Sequence, residues 1–187
     1  MSSLSLTNDH IYLVLSEENL TNTYVYTYNG TNYESLQTLT IDSGKSVRNF
    51  ISDDHQYLLI ASADSSNKGY IFKFNDTTNL FELSQELLLS ASVEYMSLTD
   101  DKEWLIVSTH DSVQFAGQEK TYIFTGVDED NLTLLYVFDT DGYHHKLSKD
   151  RKFLVSSSEI SKVFINCQAD GPYYFNSATG ECAQCSV

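Results

Sequence analysis

The sequence predicts an all-β fold made of four repeated four-stranded antiparallel units. Three observations predict it. One short pattern recurs four times, at intervals of 45 to 49 residues: Leu6-Thr7-x-Asp9-x-x-Tyr12, Ile51-Ser52-x-Asp54-x-x-Tyr57, Leu98-Thr99-x-Asp101-x-x-Trp104 and Leu147-Ser148-x-Asp150-x-x-Phe153. An apolar run follows each copy, and polar turns fall at matching places further on. No stretch of comparable length carries helical periodicity.

Within each unit, a short first strand leads into the Ser/Thr-x-Asp stretch. An Asp there can bond its own backbone two residues on, so Asp9, Asp54, Asp101 and Asp150 are expected to be structural turn residues. The second strand is almost wholly apolar, as in Tyr57 to Ala61, Trp104 to Val107 and Phe153 to Val155, which suggests burial on both faces. The third strand alternates, with aromatic and β-branched residues at period two in Tyr24 to Tyr28, Tyr70 to Phe74, Tyr122 to Thr125 and Val163 to Ile165. Polar turns beginning at Asn29, Asn75 and Asp128 precede fourth strands at Tyr33 to Leu39, Phe81 to Leu87 and Leu132 to Phe138. In the fourth unit that place is taken by Asp170-Gly171-Pro172-Tyr173-Tyr174-Phe175.

Four antiparallel strands repeated every forty-odd residues describe the blades of a β-propeller. The stretch Ser52-Asp53-Asp54-His55-Gln56-Tyr57-Leu58 is similar to the S-P-D-G-K-x-L turn of WD40-like, TolB-like and lactonase-like propellers. The resemblance covers about residues 2–166, divided into blades near 2–43, 44–91, 92–141 and 142–166. Gly-His and Trp-Asp dipeptides of true WD40 repeats are absent. Propellers of these families usually have more than four blades. A blade buries its faces only against neighbours, so four open-ended blades would leave apolar surface exposed. A closed four-bladed ring, two chains forming one assembly, or a longer parent protein would each solve this. Assembly or a longer parent is favoured, and the expected partner is protein, through self-association.

A formal net charge of −15 argues against nucleic acid or an anionic membrane as a partner. No run of about 20 apolar residues is long enough to insert in a membrane. Residues 167–187 change character, with Cys167, Cys182 and Cys185 all in this segment. It resembles the start of an extracellular growth-factor-receptor-type cysteine-rich repeat, which implies disulfides. The odd count leaves the pairing open, and half of a Cys-x-x-Cys zinc site and free structural thiols are the alternatives. Four Asn-x-Ser/Thr sequons, at Asn19, Asn29, Asn75 and Asn131, are candidate glycosylation sites, three of them in equivalent turns. Asn is also common in turns for conformational reasons.

No catalytic residue, metal ligand or cofactor site is expected from motifs. The segment Asp139-Thr-Asp141-Gly142-Tyr-His144-His145 lacks the ligand series of a calcium loop, and adjacent histidines on a strand point to opposite faces. Trp104 aligns with Tyr12, Tyr57 and Phe153, and so reads as core. The leading expectation is a non-enzymatic structural or interaction module of a secreted or cell-surface protein, such as a filament or matrix subunit. The alternatives are a lactonase-like hydrolase propeller and an intracellular WD40-like scaffold.

Overall fold

The computed structural model describes residues 3–17, 21–41, 46–62, 67–110, 120–129, 131–139, 144–147, 153–157, 162–165, 173–176 and 181–184. Seventeen strands run along them. The first sheet joins β1 (Ser3–Leu6), β2 (Tyr12–Ser16), β3 (Asn22–Tyr28) and β4 (Tyr33–Thr40) in sequence order. The second joins β5 (Ser46–Ile51), β6 (Tyr57–Ser62), β7 (Lys68–Asn75) and β8 (Leu80–Leu88) in the same way. The third joins β9 (Ser92–Leu98), β10 (Trp104–His110), β11 (Lys120–Thr125) and β12 (Thr133–Asp139). All observed ladders are antiparallel. Two compact units divide the chain, Met1–Ser97 and Leu98–Val187.

The fourth repeat departs from the expected four strands. Its sheet has three, β13 (His144–Leu147), β14 (Phe153–Ser157) and β15 (Lys162–Ile165). A separate hairpin of β16 (Tyr173–Asn176) and β17 (Glu181–Gln184) follows, with β16 alongside β15. The sequence also differs here, with Gly171-Pro172 in place of the polar turn of the other units; those two residues lie outside the described ones.

The conserved offset of hydroxyl, Asp and aromatic is a hydrogen-bond device. The Thr7 hydroxyl donates to Asp9 Oδ1 at 2.7 Å and accepts from the Tyr12 N–H at 3.1 Å, while Asp9 Oδ1 also accepts from the Ile11 N–H at 3.0 Å. The same three bonds recur at Ser52, Asp54, Gln56 and Tyr57, with lengths of 2.7, 2.9 and 3.3 Å. They recur again at Thr99, Asp101, Glu103 and Trp104, at 2.6, 3.2 and 3.2 Å. A backbone pair closes each turn, for example Ser52 N–H to the Tyr57 carbonyl and His55 N–H to the Ser52 carbonyl, both 2.9 Å. The residue after each Asp has a left-handed backbone: His10, His55 and Lys102 have φ of 62°, 65° and 60°. Gly occupies that place in the turn this one resembles. Asp150 and its neighbours lie outside the described residues.

The core of the first unit lies between sheets 1 and 2. Val14, Val25 and Leu39 of sheet 1 pack on Ile51, Leu58, Ile60, Tyr70, Phe72 and Phe81 of sheet 2. Every residue of β6 is buried, as its unbroken apolar run predicts. Gly69 shows how closely the other face of sheet 2 is covered: a Cβ there would sit 2.6 Å from Met96 Sδ. In the second unit, Ile106, Ile123, Phe138 and Leu154 form a core cluster.

Candidate functional site

Two polar seams join sheets 1 and 2. The first runs between β1 and β2 of sheet 1 and β5 of sheet 2. Ser5 Oγ donates to the Asn49 carbonyl at 2.8 Å, the Asn49 N–H to Ser3 Oγ at 3.2 Å, and Asn49 Nδ2 to Ser16 Oγ at 2.8 Å. Ser16 is completely buried and shares a 2.9 Å hydroxyl bond with Thr23. The Asn49 side chain is buried while its Oδ1 has no hydrogen-bond partner among the described residues. On the outer side, Gln37 brackets the Phe81 backbone, donating to its carbonyl at 2.8 Å and accepting from its N–H at 2.9 Å. Blade sheets radiating from a channel converge where their first strands meet. β1, β5 and β9 are the first strands, and among their described side chains Arg48 is the basic residue and Glu94 the acidic one. Arg48, Glu94 and Tyr95 are all partly exposed.

The second seam joins the Asp turns at one end of the two sheets. His55 Nε2 lies 2.9 Å from Asp9 Oδ2, and the His55 ring meets Tyr12 edge-on at 4.9 Å between centroids. Asn8 Nδ2 donates to Asp53 Oδ2 at 2.6 Å. Asp9 is held below its ordinary carboxyl pKa chiefly by the Ile11 N–H, then by the Thr7 hydroxyl; burial opposes them, and His55 adds a further, lesser lowering. Burial, and then the charges of Asp9 and Asp76, push the Tyr12 phenol up. Because the folded carboxyl ionises below the unfolded one, Asp9 stabilises the fold above the ordinary value of 3.8, and that contribution is lost as pH falls through the folded pKa. Acid titration followed by circular dichroism is expected to show a shallower loss of stability below that pH in Asp9→Asn than in the parent.

The turn asparagines have structural partners. Asn29 Oδ1 accepts from the Thr31 and Asn32 N–H groups, both at 2.9 Å, and Asn75 Oδ1 accepts from the Thr77 N–H at 2.8 Å. Each also donates through Nδ2 to a carboxylate on the next strand, Glu34 and Glu82 respectively. The bonds from Asn75 and Thr78 hold the Glu82 carboxyl below its ordinary pKa. Asn131 is placed differently, with its N–H bonded to the Gly126 carbonyl at 3.2 Å. Asn19, Cys167 and Cys185 lie outside the described residues, and Cys182 stands on β17 opposite Phe175. Among the described residues no group of three His, Cys, Asp or Glu side chains could hold a metal ion, and no helix is long and apolar enough to cross a membrane. β13 begins with His144 and His145, which pair with Ser157 and Ser156. Sequence reasoning found the Asp turns through their repetition. It missed Asn49, Gln37 and His55, whose partners lie a whole blade away.

No family model matches the chain, and no curated protein is significantly similar in sequence. Solved structures are similar. A putative 6-phosphogluconolactonase from Bacteroides uniformis superposes with a TM-score of 0.70 at 15% identity, over 97% of this chain and 52% of that one. One from Bacteroides fragilis gives a TM-score of 0.70 at 13% identity, over 96% and 52%. The Kuenenia stuttgartiensis hydrazine synthase gives 0.63 at 12% identity, over 87% and 51%. The chain has a β-propeller-type fold. It spans about half the length of these solved structures.

These neighbours overturn the leading functional expectation. A non-enzymatic, extracellular, glycosylated filament subunit has no support among them, and two of them are putative 6-phosphogluconolactonases. The growth-factor-type resemblance of residues 167–187 is not shown: among the described residues of that segment, Tyr173–Asn176 and Glu181–Gln184 form a hairpin. The misreading has a physical origin. Blade repeats encode packing whatever chemistry the fold carries, so a lack of catalytic motifs in the repeats said nothing about enzymes.

Proposed function

We propose that this chain belongs to a lactonase-like hydrolase that opens the ring of a sugar lactone, with phosphorylated aldonolactones as the substrate class. The observation that carries this reading is the superposition of nearly the whole chain on putative 6-phosphogluconolactonases. In such a reaction water attacks the lactone carbonyl, a general base takes its proton, and the ring C–O bond breaks to leave a carboxylate and a hydroxyl. Glu94 on β9 is the described first-strand carboxylate suited to the base. With a net charge of −15, an anionic substrate needs a local cation, and Arg48 on β5 is the described first-strand residue that supplies one.

The variants Glu94→Gln and Arg48→Ala test the assignment. Glu94→Gln is expected to lower kcat by about 100-fold or more, the usual contribution of a positioned general base. Arg48→Ala is expected to raise KM for a phosphorylated lactone more than for its uncharged analogue. Both variants turning over at the parental rate with parental KM values would remove these residues from the site.

A further inference from the structure

The repeat assigns each second-strand side chain a direction. The residue after the motif aromatic packs back onto the preceding sheet: Leu58 joins the core with sheet 1, and Leu154 joins the cluster with Ile106 and Ile123 of the third sheet. The residue after that packs forward, as Val14 does onto sheet 2 and Ile106 onto Leu154. Both directions end on uncovered residues. Leu13 is only partly buried, with no described sheet packed on it from that side, and Val155 is 43% exposed.

The face around Leu13 is built for burial. Antiparallel register puts Leu4, Leu6, Leu13, Leu15, Tyr24 and Tyr26 on one side of sheet 1. Their repeat equivalents Ile51, Leu58, Ile60, Tyr70 and Phe72 are all buried, Leu58 and Ile60 completely. In sheet 1 the same positions are partly buried at best, with Leu6, the equivalent of Ile51, 43% exposed; Leu4 beside it is 64% exposed. The opposite side of the sheet, through Val14 and Val25, is already packed on sheet 2.

We propose that this face seats a second copy of the chain, against the forward face of its fourth sheet at Val155. Two observations favour a second copy as the occupant. The repeat makes the Val155 face the equivalent of the Val14 surface that covers Leu58 and Ile60, so the two uncovered faces are complementary. The chain also spans 52% of each 6-phosphogluconolactonase-type neighbour, so two copies supply about the length of one such propeller. The contact joins two unlike faces and is therefore head-to-tail, the class of contact that stays finite only where it closes into a ring. With each copy carrying −15, added salt strengthens it by screening repulsion. None of this depends on the hydrolase reading.

Sedimentation equilibrium of the full chain tests it. The expected mass is twice that of the chain. Leu4→Glu and Val155→Glu alter exposed side chains, so each variant is expected to keep the parental circular dichroism and to sediment as a monomer. Mixing the two variants leaves one face of each kind intact and is expected to restore a dimer. A monomeric parent would overturn the proposal and assign the face to another polypeptide. So would an open polymer, or a dimer that neither variant weakens.

Discussion

Ile60→Ala is expected to cost about 3 kcal/mol of folding stability, the usual price of truncating a fully buried aliphatic side chain in a packed core. Ile60 is completely buried between sheets 1 and 2, against Val14 and Val25. Leu15 occupies the equivalent place in the first repeat, paired in register with Tyr24 as Ile60 is with Tyr70. It is only partly buried. Leu15→Ala is therefore expected to cost less, about 1 to 2 kcal/mol, at dilutions where copies are separate, since less apolar area is buried there than at Ile60. Urea unfolding of both variants at low concentration reads the difference. Equal losses would mean that the two faces are equally covered within one chain, contrary to the repeat-based account.

Gly126→Ala is expected to be the most damaging single-methyl change in the second unit, costing about 3 kcal/mol through a left-handed backbone and a clash together. Gly126 has φ of 84°, and a Cβ there would lie 2.2 Å from the Asn131 carbonyl oxygen. That neighbour is backbone, fixed by the Asn131 N–H bond to the Gly126 carbonyl, so it cannot swing away. Gly30 is the control. Its φ is 93°, but its Cβ would meet nothing within 4 Å, so Gly30→Ala carries only the conformational part. Thermal unfolding of the two variants separates strain from clash, and similar midpoints would show that the turn around Gly126 relaxes freely.

Much of the fold was legible because each blade repeats one solution. The run Tyr57-Leu58-Leu59-Ile60-Ala61 has no polar alternation, and β6 is buried throughout. The Ser/Thr-x-Asp spacing encodes local bonds, all within five residues, which is why it survives as a pattern. What stayed hidden was non-local. The register shifts at Val25/Tyr26, Ile71/Phe72 and Ile123/Phe124 recur in three sheets, each at a β-branched residue followed by an aromatic, a pair too ordinary in strands to announce a bulge. Asn49 reads as an ordinary strand polar residue until Ser3 and Ser16 are seen around it. The candidate site was less legible still, since Arg48 and Glu94 gain meaning only from being on first strands.

The measurement that tests the functional account most directly is ring opening of 6-phosphogluconolactone by the folded chain, followed by carbon NMR of the lactone carbonyl against spontaneous hydrolysis in the same buffer. The account predicts conversion faster than the uncatalysed rate, in proportion to protein concentration. Conversion at the spontaneous rate, by protein shown to be folded and at its native mass, would contradict it.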